Sequence, residues 1–428
     1  MRKIIFTSAA MLIAAGTFAG AQAAEVQPGV KFSGDARVRA IYQDKFDFGN
    51  SDKDAASKLD SRIRLRVKAT AAGGAYAVGR IRLMDGNLQG NESDSNANVA
   101  NKTGNVWADE AYIGVPFSDN FTLEGGKYRV SYGNTFFYDD QSVAGLRGII
   151  KAGGFEINPF IEWWSEGQQS GIAQDKNEDN DAIRYGIHVG GNVTDNWKAG
   201  FLAAYQSDDR VEFTDYDADG GATQSYNQHD GWMASVYFSG KEGAFGLAGE
   251  FAYNDGSLQG FNRETDDRHD YGANLPGTDD NDDGYGGFLQ PSYTMDALTL
   301  ALNVGFTKDG FLADPAFGFI MVGADHPLTV INVGDLGDWF WGGLVATYAI
   351  SDSLSVTGIV AYASVDGNSK TGLGSLENAW DISGKVTYTI SPGATFIWNI
   401  GMLTPSFEDP TVEDDPAFGT YGQIIVRF

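Results

Sequence analysis

"RIRLRVK", Arg62 to Lys68, sets a cation at every second position with an aliphatic residue between each pair. Successive side chains of a β-strand point to opposite faces, so Ile63, Leu65 and Val67 share one side of this segment. Arg62, Arg64, Arg66 and Lys68 share the other. The chain around them is strongly acidic, with 57 Asp and Glu against 30 Lys and Arg and a formal net charge of −27. A column of positive charge therefore runs against the composition and needs a local cause.

The same period of two recurs along the chain. Leu298, Leu300, Leu302, Val304 and Phe306 alternate with Thr299, Ala301, Asn303 and Gly305. Ile382, Gly384, Val386, Tyr388 and Ile390 alternate with polar neighbours, as do Ala394, Phe396, Trp398, Ile400 and Met402. These spacings predict strands with one apolar face and one polar or small face. Helical spacing is scarce beyond the N-terminal segment.

Two kinds of connection separate the strands, and they alternate. Tight turns fall near 73–74, 116–120, 152–154, 194–196, 240–243, 295–296, 351–353 and 391–393. Between them lie long segments read as polar, such as 85–105, 165–181, 207–230, 255–283 and 308–338. Eight hairpins plus a first and a last strand predict about 18 strands, with 16 as the alternative. Short turns at one end and long loops at the other are the layout of an all-β transmembrane antiparallel barrel in an outer membrane, with the turns periplasmic and the loops extracellular. Pro159 and Pro291 fall inside expected strands, where each removes a ladder donor, and are expected at bulges or strand ends.

The N-terminus fits export. Arg2 and Lys3 precede an apolar, small-residue stretch, and Ala21-Gln22-Ala23 matches a cleavage site, so residues 1–23 read as a signal peptide. Residues 24–428 then form a single barrel domain, with no room for a second domain or an N-terminal plug. There is no cysteine, so no disulfide supports the exported chain. With 56 glycines, 13% aromatics and only 11 prolines, neither disorder nor an ordinary helical protein is expected. No later run approaches the roughly 20 apolar residues of a membrane helix. The acidic balance argues against binding nucleic acid or anionic lipid through bulk charge.

A strand exposed to hydrocarbon must satisfy its backbone through neighbours, so the sheet has to close. An 18-strand barrel is too wide for side chains to fill and should hold water. If Ile63, Leu65 and Val67 meet lipid, the cations beside them meet the lumen, because an arginine at the lipid midplane costs about 2–4 kcal/mol. Arg37 and Arg39 precede this segment, and Arg80, Arg82, Lys127 and Arg129 follow it. Together with Arg62, Arg64, Arg66 and Lys68 they are the expected pore-lining cations.

The last residues, "YGQIIVRF", place Ile424, Val426 and Phe428 on one face. This ending resembles the C-terminal signal that outer-membrane proteins present to the barrel-assembly machinery, with Phe428 as its terminal aromatic. The segment "EAYIGVPFSDNFTLEGGKYRVSYG", Glu110 to Gly133, resembles the strand–turn–strand of general porins. The whole layout is most similar to the homotrimeric porins of sulfate-reducing bacteria. That resemblance implies a homotrimer in a Gram-negative outer membrane and passive diffusion of small hydrophilic solutes and ions. It also implies a third loop folded inward, so that Asp139 and Asp140 face the arginines across the constriction. The Pro-Glu-Phe-Gly type motif of many porin constriction loops is missing here.

Other chemistry is sparse. Of four histidines, His188 falls on an expected lumen face and the others in loops. No nucleophile elbow, Walker loop or His-Glu-x-x-His is present, and no enzyme activity or required cofactor is expected. "DYDADG", 215–220, has the carboxylate spacing of the first half of a calcium loop, making Asp215, Asp217 and Asp219 candidate ligands. "DDNDDG", 279–284, repeats the spacing. Neither has a Glu at position twelve, where Tyr226 and Gln290 stand. Acidic extracellular loops also serve to bridge divalent cations to lipopolysaccharide. A substrate-selective anion or organic-acid channel and a structural or adhesive surface barrel are the alternatives to a porin.

Overall fold

The computed structural model describes residues 27–50, 55–87, 106–165, 181–208, 213–216, 222–226, 230–255, 258, 283–324 and 326–428. The signal-like segment lies outside them. Eighteen strands form one sheet that closes on itself. β1 (Gly29–Asp44) pairs with β2 (Ala55–Thr70) on one side and with β20 (Ala417–Arg427) on the other. Every neighbouring pair in the ring is antiparallel. Two further strands, β10 (Phe213–Tyr216) and β11 (Ala222–Tyr226), form a separate small hairpin within one connection.

Alternation sets inside and outside. On β16 (Gly337–Ser351), Phe340, Leu344 and Tyr348 are exposed on the outer face, while Trp339 and Trp341 on either side of Phe340 are buried inside. Ile63 is exposed on the outer face of β2, so its arginine neighbours turn inward.

The prolines behave differently from expectation. Pro159 lies within β7 (Phe155–Ser165) and Pro291 within β14 (Gly284–Met295), at neither a strand end nor a register shift. Instead the ladder skips there and resumes in the same register. Arg147↔Phe160 is followed by Ile150↔Ile157. Leu289↔Val304 is followed by Ser292↔Ala301. A short gap in one ladder accommodates the missing N–H without shifting any side chain to the other face.

A second departure concerns the segment 308–338, expected to be a polar loop. It joins β15 (Leu298–Lys308) to β16, and much of it is apolar and buried inside the barrel, including Phe311, Phe317, Phe319, Met321 and Leu328. The connection 131–140, between β5 (Phe121–Val130) and β6 (Gln141–Ala152), also turns inward. Its Phe136 meets Phe311 and Phe317 at ring-centroid separations of 5.4 and 4.8 Å. The two loops and Trp339 and Trp341 thus share one apolar cluster within the lumen.

The seam between first and last strands is closed by two backbone bonds. Gly34 N–H donates to the Phe428 carbonyl at 2.8 Å, and Phe428 N–H donates to the Gly34 carbonyl at 3.1 Å. A Cβ on Gly34 would lie 2.9 Å from the Phe428 ring and 2.3 Å from the Arg64 carbonyl oxygen, so only glycine fits beneath that ring. Phe428→Ser is expected to lower the yield of assembled barrel several-fold, read as heat-modifiable protein in outer-membrane fractions. Unchanged amounts would show that the terminal ring is dispensable.

Candidate functional site

The inner faces of β1, β2 and β3 (Tyr76–Asn87) stand side by side in register. Arg37 lies opposite Arg62, Asp35 opposite Arg64, Arg64 opposite Arg82 and Arg66 opposite Arg80. Like charges directly opposite one another repel, and carboxylates intercalate between them. Arg39 donates to Asp60 through Nε and Nη2 at 2.6–3.0 Å. Asp35 accepts from Arg64 at 2.7 Å and from Arg62 at 3.3 Å.

The next strand, β4 (Val106–Ser118), supplies two more acids through a bulge. Arg80 pairs with Glu110 but Ile81 with Ala108, leaving Asp109 as the extra residue. Asp109 and Glu110 are consequently both buried on the inner side, although they are adjacent in sequence. Arg80 forks onto Asp109 with two bonds of 2.8 Å, and Arg82 Nε reaches the same carboxylate at 2.6 Å. Arg66 donates to Glu110 at 2.8 Å and to the Tyr112 hydroxyl at 3.0 Å. Lys68 Nζ sits 3.9 Å from the centre of the Tyr76 ring.

Two inward arginines were not anticipated from the sequence. Arg147 on β6 donates to Glu124 at 2.7 Å and stacks over Tyr128 at 4.5 Å. Arg184, on β8 (Ala182–Asn192), is buried and bonds the Tyr138 hydroxyl at 2.7 Å, with Glu162 at 3.8 Å. His188 does face inward, two inward positions along from Arg184, and its Nε2 lies 2.8 Å from the Tyr237 hydroxyl. Parity from His188 was the signal that Arg184 shares the wall.

Two of the expected pore cations are not on that wall. Lys127 pairs with Ala111 on β4 and Ala144 on β6, all three exposed, while Tyr128 beside it is buried inside. The register therefore places Lys127 and Arg129 on the outer face. The contacts of Asp139 and Asp140 lie with the two inserted loops and with β5. Asp140 binds Arg129 at the base of its own loop. Asp139 contributes its backbone N–H to Asp314 at 2.9 Å. The acids nearest the wall arginines belong to the wall itself.

Buried carboxylates pin the inserted loops. Glu250 accepts from the N–H of Asn134 at 2.7 Å, the N–H of Phe136 at 3.3 Å and the Ser235 hydroxyl at 2.7 Å. Asp381 accepts from Met321 N–H at 2.7 Å. Asp314 joins the loops to each other: it takes bonds from Asp139 N–H, Gln141 Nε2 and Ala316 N–H at 2.8–2.9 Å. Its own N–H donates to the Phe136 carbonyl at 2.8 Å. Burial pushes the Asp314 carboxyl up to about 7, and the charge of Asp139 adds to the shift. The far end of the longer loop meets β1, where Gln43 Nε2 donates to the Pro327 carbonyl at 2.6 Å. There burial, with Arg39 and Lys385 adding, lowers His326 to about 4.

Of the candidate calcium ligands, Asp215 lies on β10, and Asp217 and Asp219 lie outside the described residues.

A closed barrel with an apolar outer belt, a charged inner wall and loops folded into its lumen is an outer-membrane channel protein. The chain belongs to the Gram-negative porin family, which it matches over residues 8–396. No curated protein matches it. Among solved structures it is similar to OccAB1 of Acinetobacter baumannii, with a TM-score of 0.56 at 12% identity, covering 96% of this chain and 98% of that one. OccK8 (OprE) of Pseudomonas aeruginosa gives 0.55 at 11%, covering 93% and 98%. At these identities the likeness concerns the fold. The narrower resemblance to porins of sulfate-reducing bacteria rests on the sequence alone.

The shift at Asp314 has a defined sign. A carboxyl raised from 3.8 to about 7 stabilises the clasp fully below its ordinary value, and the contribution is lost as pH rises through about 7. Amide exchange in residues 131–140, corrected for intrinsic rate, should be slower at pH 5 than at pH 8. Asp314→Asn should remove most of that difference. Equal pH dependence in the two proteins would assign the effect elsewhere.

Proposed function

We propose that this porin passes small hydrophilic solutes and ions by diffusion through a water-filled pore, and that the arginine wall makes it favour anions. The observation that carries the reading is the inward column on β1 to β3. Arg37, Arg39, Arg62, Arg64, Arg66, Lys68, Arg80 and Arg82 share it with Asp35 and Asp60, the register sets Asp85 opposite Arg62, and the adjacent β4 adds Asp109 and Glu110. Cations outnumber the carboxylates that neutralise them, so positive charge remains at the surface solutes pass.

The acidic loops argue for cations, and distance decides between them. The Debye length is about 8 Å at physiological ionic strength, so charges on outer loops are largely screened from the narrow section. Wall guanidinium groups act at contact range in surroundings that focus their field. Anion preference is therefore the stronger expectation despite the net charge.

A substrate-selective anion or organic-acid channel is the second reading. The apolar loop pair that fills part of the lumen supports it, because a narrowed lumen would bring solutes closer to the wall. Saturable conductance would mark it, and ohmic conductance the diffusion pore. A homotrimer and assembly through the barrel-assembly machinery are proposed with this function on the sequence resemblance. Calcium at Asp215, Asp217 and Asp219 is proposed on their spacing. We read the chain as a channel, not an enzyme.

Replacing both Arg64 and Arg66 by Glu is expected to shift the zero-current potential in asymmetric salt toward cation selectivity, with the pore still open. A wild-type reversal potential in a correctly folded double variant would show that these side chains do not line the narrow section.

A further inference from the structure

Away from the arginine column, the inner faces of β7, β8, β9 (Trp197–Asp208) and β12 (Gly231–Glu242) carry a different surface. The register aligns Glu156, Gly190, Gly200 and Tyr237 in one row across these four strands. A Cβ on Gly190 or on Gly200 would stand 2.4 Å from the Tyr237 hydroxyl oxygen. The tyrosine therefore lies along the wall over two glycines, in space that any side chain there would fill. Its ring is nearly parallel to that of His188, at 6° with centroids 6.0 Å apart, and the 2.8 Å bond joins the two edges. Together they make one flat aromatic surface. Tyr132 stacks on the His188 part at 4.6 Å, while Tyr237 stays partly open.

Polar groups of fixed orientation border this surface. Asn158 Nδ2 donates to Glu156 at 3.0 Å and also faces His188 Nδ1 at 3.3 Å. An amide nitrogen only donates, so Nδ1 accepts and Nε2 carries the proton that goes to the Tyr237 oxygen. The Tyr237 O–H is thereby aimed away from His188, as a donor for another group. Asn158 Oδ1 is a buried acceptor with no hydrogen-bond partner among the described residues. Lys151 lies opposite Glu156 on β6, and Lys198 lies two positions from Gly200 toward the short turn. Glu156, Lys151 and Lys198 are all exposed.

We propose that Tyr237, with the polar groups around it, forms a subsite for a neutral pyranose sugar inside the lumen. The inference rests on the water-filled pore of the reading above but not on its anion preference. A rim carrying both signs of charge suits neither an anion nor a cation, since each would meet a like charge. A flat aromatic solute would cover the ring and leave the rim groups without partners. A pyranose with equatorial hydroxyls meets both demands. Its C–H faces lie against the ring, and its edge both donates and accepts hydrogen bonds toward Glu156, Lys198 and the Tyr237 hydroxyl.

The test uses full-length protein in detergent, with cellobiose and the open-chain polyol sorbitol as probes and binding read by saturation-transfer NMR. Wild-type protein should bind cellobiose saturably and sorbitol at least about fivefold more weakly, because sorbitol has hydroxyls but no rigid apolar face. Tyr237→Leu should weaken cellobiose binding about fivefold, the size of one lost ring contact. Tyr237→Phe keeps the ring and loses the hydroxyl, so its affinity should fall between the two. Absence of saturable cellobiose binding overturns the proposal, as does equal wild-type affinity for the two probes. Unchanged affinity in a correctly assembled Tyr237→Leu overturns it too, and if that variant fails to assemble, the wild-type comparison of the two probes still decides. Binding is read without ion flow, so its loss leaves the conduction reading standing, and a pore that fails to conduct leaves the subsite to be judged on its own.

Discussion

Inside a bilayer no water is available to a backbone amide, and everything else in this molecule follows from that. Each strand must be paired on both sides, so the first strand has to find the last. The reciprocal bonds between Gly34 and Phe428 belong to that closure. Closure also fixes the parity of every strand. A slip of one residue in β2 would exchange Ile63 for Arg64 on the lipid face, at about 2–4 kcal/mol for an arginine near the midplane. The arginine column is therefore a consequence of register before it is a feature of transport.

A wide closed ring creates a second problem, because its interior is too large for wall side chains to fill. Two chain segments fold into it, and their polar backbones need partners there. Glu250 and Asp381 reach inward from the wall and accept loop N–H groups, while Asp314 fastens loop to loop. Buried carboxylates are costly unless several donors meet them, and each of these has at least two. The aromatic cluster around Phe136 and Phe317 supplies the apolar part of the same attachment.

Most of this fold was legible because period two is easily read in Arg62–Lys68 or in Leu298–Phe306. The errors had specific causes. In "GGKYRV" cations and Tyr128 alternate as they do in "RIRLRVK", but here it is the tyrosine that points inward. Alternation divides residues into two faces without saying which is wet, and charge alone was a poor guide at Lys127. Glu124, which reaches Arg147 across the inner face, carries the parity that fixes the strand. The segment after Lys308 was read as polar because of its position between strands, although "FGFIMV", 317–322, is as apolar as any strand. An apolar run inside a long connection signals a loop that turns back into the barrel. The bulge at Asp109 had no such signal, since bulges depend on the partner strand.

The ion pairs along the wall also limit how its charge acts. Each wall arginine bonded to Asp35, Asp60, Asp109 or Glu110 spends part of its field on that neighbour, and only the surplus reaches the lumen. The pairs in return hold long, flexible side chains in fixed positions. Arg80 and Arg82, for instance, are fixed against one carboxylate at 2.6–2.8 Å. Planar guanidinium groups suit this arrangement better than lysines, because one edge can fork onto a carboxylate in a fixed geometry. A rigid, partly neutralised row binds an anion less tightly than a bare cluster would. In the anion-favouring pore proposed above, weak, repeated sites of that kind would let an ion enter and also leave, which conduction requires.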